Sequence, residues 1–101
     1  NGSAVAYAGI SGTSASGGSC TIGGSRSFNI PASCSRGGTG FYTITGVGFD
    51  LTSRIGTCSL RGPANGYCTL RFTAADTIEV RTYDGSGNPT DFGTGGWFAI
   101  Y

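Results

Sequence analysis

The sequence predicts an all-β domain, a small antiparallel sandwich or barrel. Three observations carry this. No segment sustains a 3.6-residue apolar period between caps, and Leu, Glu and Lys, the usual helix builders, are sparse or absent. Short runs rich in Val, Ile, Thr, Tyr and Phe alternate with Gly, Ser, Asn and Pro. The 101 residues suffice for one compact domain, spanning 1–101, and not for two.

Strands are expected at Ala4–Ile10, Ser25–Ile30, Gly40–Thr45, Ile55–Arg61, Tyr67–Thr73, Thr77–Tyr83 and Gly96–Tyr101. Ser11–Ser19, a Gly/Ser/Thr/Ala stretch, reads as a flexible surface loop. In Thr77–Tyr83, Ile78, Val80 and Thr82 face one side, and Glu79, Arg81 and Tyr83 the other. Phe41 and Thr43 alternate with Tyr42 and Ile44, putting bulk on both faces. Trp97-Phe98-Ala99-Ile100-Tyr101 is apolar on both faces, so each side needs a cover, from a second sheet or from another subunit. Gly62-Pro63-Ala64-Asn65-Gly66 is a turn between two strands, and Asp84–Pro89 begins a second.

Four cysteines, at 20, 34, 58 and 68, allow three pairings. Their spacing does not match zinc sites, and the chain has no His to join them. Two disulfides are the favoured reading; four buried thiols are the competing one. If Arg61 meets Asn65 around the 62–66 turn, Cys58 falls opposite Cys68. That favours Cys58–Cys68, with Cys20–Cys34 by elimination. A chain with such bridges belongs in an oxidising compartment, extracellular or periplasmic.

Composition narrows the function classes. Charged residues make up 11% of the chain, against about 25% in an ordinary soluble domain. Net charge is +1, and the six Arg are scattered rather than clustered, which argues against nucleic acid as a partner. No apolar run approaches the roughly 18 residues of a membrane span. Residue 1 follows no recognisable secretory leader, so the chain is expected to be a piece of a longer or processed protein.

Catalysis is not expected. Asp50, Asp76, Glu79, Asp84 and Asp91 are the only acids, and without His or Lys a Ser or Cys nucleophile lacks its ordinary base. Asp84 and Asp91 flank one loop, as a glycosidase pair would, but such residues commonly cap turns. Asp84-x-Ser86-x-Asn88 opens like a calcium loop. Pro89 stands where its glycine belongs, and Gly95 where its glutamate belongs, so no metal or other cofactor is expected. The candidates for ligand contact are Arg61, Asn65 and Tyr67 at one turn, and Tyr83, Asp84, Asn88 and Asp91 at the other. Aromatic faces beside Asn, Asp and Arg suit sugars. Trp97 is a further candidate, with core or subunit packing as its alternative.

Two segments carry a family resemblance. Ile78–Phe92 closed by Trp97–Tyr101 is similar to the last hairpin of C-terminal domains on phage tail fibres and related bacterial fibre-tip adhesins. There a Val-x-Thr-aromatic strand enters an Asn/Asp-x-x-Gly turn, and an Asp precedes a Phe-rich final strand. Gly38-Thr39-Gly40-Phe41-Tyr42-Thr43-Ile44-Thr45 resembles their Gly-Thr-Gly-x-Tyr-x-Val opener, and Val5–Gly12 their first strand. The inserted Gly93–Gly96 and the four cysteines depart from the pattern. The resemblance implies a jelly-roll-like sandwich at the C-terminal end of a longer protein, assembled as a parallel homotrimer. It also implies recognition of a surface glycan or surface protein, on a secreted or virion fibre. Two other functions fit the composition: a monomeric carbohydrate-binding module of a secreted hydrolase, and a structural trimerisation cap without a ligand.

Overall fold

The computed structural model describes residues 4–11, 19–30, 33–60, 66–91 and 96–101. They form eight strands: β1 (Ala6–Ser11), β2 (Ser19–Phe28), β3 (Ser33–Gly38), β4 (Phe41–Thr45), β5 (Gly56–Leu60), β6 (Tyr67–Ala74), β7 (Thr77–Tyr83) and β8 (Gly96–Ile100). All pairings are antiparallel, in the order β5-β8-β1-β2-β3-β4-β7-β6.

The sheet coils until its two end strands, β5 and β6, lie against each other. Three register irregularities help it coil, at Tyr7–Gly9, Arg36–Gly38 and Phe72–Ala74, since a bulge bends its strand and raises the local twist. Ladder hydrogen bonds do not close the ring: among the described residues, β5 pairs with β8 and β6 with β7. The Cys58–Cys68 disulfide spans the seam instead, with Cα atoms 6.1 Å apart. Leu70 and Phe72 of β6 face Gly56 of β5 so closely that a Cβ on Gly56 would overlap Leu70. Residues 62–65 of the expected turn lie outside the described residues, and among the described residues β5 and β6 are not paired with each other as a symmetric hairpin requires. The disulfide pairing is as expected, but it joins the two ends of the sheet rather than two paired strands. Cys20–Cys34 is a different device, bridging directly opposed positions on the paired strands β2 and β3. The two bridges assign the chain to an oxidising environment.

Alternation fills the interior. Ala6, Ala8, Ile10, Tyr42, Ile44, Ile78, Val80, Phe98 and Ile100 point inward, and Val47 and Leu51 join them from the segment between β4 and β5. The amides of Val47 and Leu51 donate to the carbonyls of Asp76 and Ala75, docking that segment on the β6–β7 turn. The faces assigned to Thr77–Tyr83 are those seen, with Ile78, Val80 and Thr82 buried.

The seven expected strands are all present, Thr77–Tyr83 with its expected bounds and the other six with shifted ends. β3 was not expected, and β2 starts at Ser19, six residues before the expected Ser25. Residues 12–18 of the expected loop lie outside the described residues, whereas Ser11 and Ser19 are strand. No helix among the described residues is long and apolar enough to cross a membrane.

Candidate functional site

Among the described residues, the sequence-derived candidates divide among three side-chain constellations. Arg61 and Asn65 lie outside the described residues.

The first constellation is centred on Asp91. Its carboxylate accepts from Arg36 Nε (3.1 Å) and Nη2 (2.8 Å), the Gly40 amide (2.9 Å) and the Tyr42 hydroxyl (2.7 Å). The two-pronged Arg36 contact is the strong, directional form of ion pair. Arg36 first, with the Gly40 and Tyr42 donors, holds the Asp91 pKa down to about 2. The buried Thr82 hydroxyl donates to the Thr90 carbonyl beside it. Asp91 is thus the anchor of the segment after β7, tied to the β3–β4 hairpin. Its contacts are internal, and it is a weaker ligand candidate than its loop position implied.

A pH dependence follows. A lowered carboxylate pKa contributes stability that is complete above the unfolded value near 4 and is lost as pH falls through the folded value. Urea unfolding between pH 5 and pH 1.5 should show Asp91 losing about 2 kcal/mol of stabilisation. The gap between wild type and Asp91→Asn should close over the same range. A gap that stays constant with pH would refute the assignment.

The second constellation is the outer face of β6 and β7 with the turn that follows. Tyr67 and Tyr83 are directly opposed in the ladder, and their rings stack at 5.1 Å with 26° between planes. Tyr67 is 47% exposed. Arg81, two residues before Tyr83, lies over the Phe41 ring at 4.5 Å and donates to Glu79 at 3.2 Å. At the other end, the Asp84 carboxylate accepts from the amides of Ser86 (2.9 Å) and Asn88 (3.0 Å). Those bonds, Asn88 first, lower the Asp84 pKa. The Asp84 amide and the Asn88 carbonyl close the turn at 2.9 Å. Gly87 supplies the turn's positive φ of 86° near the Tyr67 hydroxyl. Asp84 therefore serves as a turn cap, and Asn88 stands exposed beside it.

The third lies on the outer face of β5, β8, β1 and β2. Trp97 is opposed by Gly9 on one side and Ser59 on the other, so its half-buried indole has only small neighbours across the ladder. With Tyr7, Thr57, Ser59 and Ala99 it lines a shallow cleft of about 660 Å³. Tyr7 stacks on Phe28 at 5.8 Å, and both are exposed. Of the expected double cover for the last strand, one chain provides the inner half: Phe98 and Ile100 are buried, while Trp97 and Ala99 are not.

Tyr67, Tyr83, Asp84 and Asn88 are thus brought together, whereas Trp97 is on a separate face. Reading the sequence missed Arg36, Phe41 and Arg81. Arg81 was legible, because it shares a strand face with Tyr83. Among the described residues, no group of three His, Cys, Asp or Glu could hold a metal ion. The chain matches no family model, no curated protein and no solved structure.

Proposed function

We propose that this domain is an extracellular recognition module that binds a surface glycan on the Tyr67–Tyr83 face, at the tip of a trimeric fibre. The observation that carries this reading is the stacked, solvent-facing tyrosine pair, bounded by Arg81 on one side and the Asp84–Asn88 turn on the other. Sugars offer apolar C–H faces and many hydroxyls. A stacked phenol pair with rigid polar groups at its margins meets both needs. The pair is preorganised by its ladder and the turn by its cap, so little conformational freedom is lost on binding.

The rolled sheet would serve as a jelly-roll-like sandwich within a parallel homotrimer. The uncharged Tyr7–Phe28–Trp97–Ala99 surface supports that assembly, because exposed apolar area of this kind favours burial and closed symmetry is the usual way to bury it. The likeness to phage and bacterial fibre tips points the same way, toward a secreted or virion-borne protein.

The cleft beside Trp97 favours a second reading, a monomeric carbohydrate-binding module in which the indole is the sugar platform. A panel of cell-surface glycans probed with the oxidised chain, alongside light scattering, tests both. Binding by a particle of about three times 10.2 kDa supports the fibre-tip reading. Binding by a single subunit supports the module. A folded trimer that binds nothing on the panel makes the domain a structural cap.

A further inference from the structure

The outer face of β6 and β7 bears two rows, Tyr67-Thr69-Arg71 and Tyr83-Arg81-Glu79, paired position by position. Successive same-face residues on a strand are spaced about 6.8 Å apart, close to the width of one pyranose ring. A ring lying on the tyrosine pair therefore brings its far edge to Arg81. The guanidinium is held in place, with the Phe41 ring beneath it and Glu79 Oε1 on Nη2. One such bond leaves most of its five donors unspent, and the side chain is 48% exposed. Arg71 stands one ladder position further on, opposite Glu79, and is exposed. Among the described residues it has no hydrogen-bond or ion-pair partner. Glu79 is largely covered, its side chain 11% exposed, and is already committed to Arg81. The excess at this end of the platform is positive. At the opposite end sits Asp84, so the face is charged positive to negative along its length.

We infer that the ligand of this face is an acidic saccharide, a pyranose bearing a carboxylate. The sugar ring lies on Tyr67 and Tyr83, its carboxylate meets Arg81 and Arg71, and its hydroxyl edge turns toward the Asp84–Asn88 turn. The inference rests on the glycan-recognition reading and adds the ligand's charge and direction. A fixed guanidinium fork matches a carboxylate in geometry as well as charge. A neutral sugar would leave both cations unused.

Calorimetric titration of the oxidised chain with trisaccharides of galacturonate, glucuronate and mannuronate, each beside its methyl ester, tests this. At least one acid should bind about tenfold or more tightly than its ester, the yield of one charge-assisted contact. Arg81→Gln and Arg71→Gln should each shrink that preference for acid over ester. Arg71 has no structural partner to lose, so its variant keeps the test clear of misfolding. Acid and ester binding equally, with both lost in Tyr67→Ala, would overturn the acidic-ligand inference and leave the glycan reading standing. No acid binding at all would also overturn the inference. Glycan binding that survives Tyr67→Ala would overturn the reading beneath it as well.

Discussion

Gly40→Ala should destabilise the domain by about 3 kcal/mol or more, while Gly38→Ala, two residues away, should change stability by less than about 0.5 kcal/mol. Gly40 has a φ of 66°, a left-handed conformation that costs a residue with a Cβ roughly 1–2 kcal/mol. A Cβ there would also sit 2.5 Å from the Thr82 carbonyl oxygen and 2.9 Å from the Thr90 nitrogen. Both are backbone atoms and cannot swing aside. Relief would move the β4 start away from Thr82 and Asp91. That would strain the Thr82 amide bond to the Gly40 carbonyl (2.9 Å) and the Gly40 amide bond to Asp91 (2.9 Å). Gly38 has no atom within 4 Å of a built Cβ and is not at positive φ. Thermal unfolding of the two variants checks the contrast, with a fall of some 12 °C or more expected for Gly40→Ala alone. Similar melting temperatures for the two would show that the Asp91 anchor does not depend on close approach at Gly40.

The second large effect belongs to the seam. Replacing Cys58 and Cys68 together by Ala should cost about 3 kcal/mol through the freed chain alone. Its signature should be local. With no ladder between β5 and β6 among the described residues, the disulfide and the packing of Leu70 and Phe72 onto Gly56 hold the ring closed there. Hydrogen exchange should quicken along β5, an end strand paired to β8 alone among the described residues, while β3 and β4 keep their protection. The Cys20–Cys34 bridge lies across paired strands, so removing it leaves the neighbouring β3–β4 ladder intact. Uniform acceleration across all eight strands after loss of Cys58–Cys68 would contradict the seam's role.

The parts of this fold that were legible share one property: a side chain that reports its face. Ile78, Val80 and Thr82 against Glu79, Arg81 and Tyr83 displayed the two sides of β7 directly. β3, Ser33-Cys34-Ser35-Arg36-Gly37-Gly38, has no β-branched or aromatic residue. It is strand because β4 offers a ladder along it, a tertiary cause, and the Cys20–Cys34 bridge joins it to β2. The early start of β2 has the same explanation. The Cys58–Cys68 pairing was reached from turn symmetry, but local spacing carries no information on strand order, and β8 and β7 took the places of the expected partners. At the site, Tyr67, Tyr83 and Asp84 flank recognisable turns. Arg36 and Asp91 lie 55 residues apart, and no periodicity links them. Phe41 gained its role through Arg81, a neighbour that only the β4–β7 register supplies.

The central claim is that recognition occurs on the Tyr67–Tyr83 face. The most direct test is the affinity of the best glycan from the panel, measured for wild type, Tyr67→Ala and Trp97→Ala at matched oligomeric state. Loss of one stacking ring should weaken binding about tenfold or more in Tyr67→Ala, with Trp97→Ala close to wild type. Full affinity in Tyr67→Ala and loss in Trp97→Ala would contradict the account and move the binding site to the cleft between β5, β8 and β1.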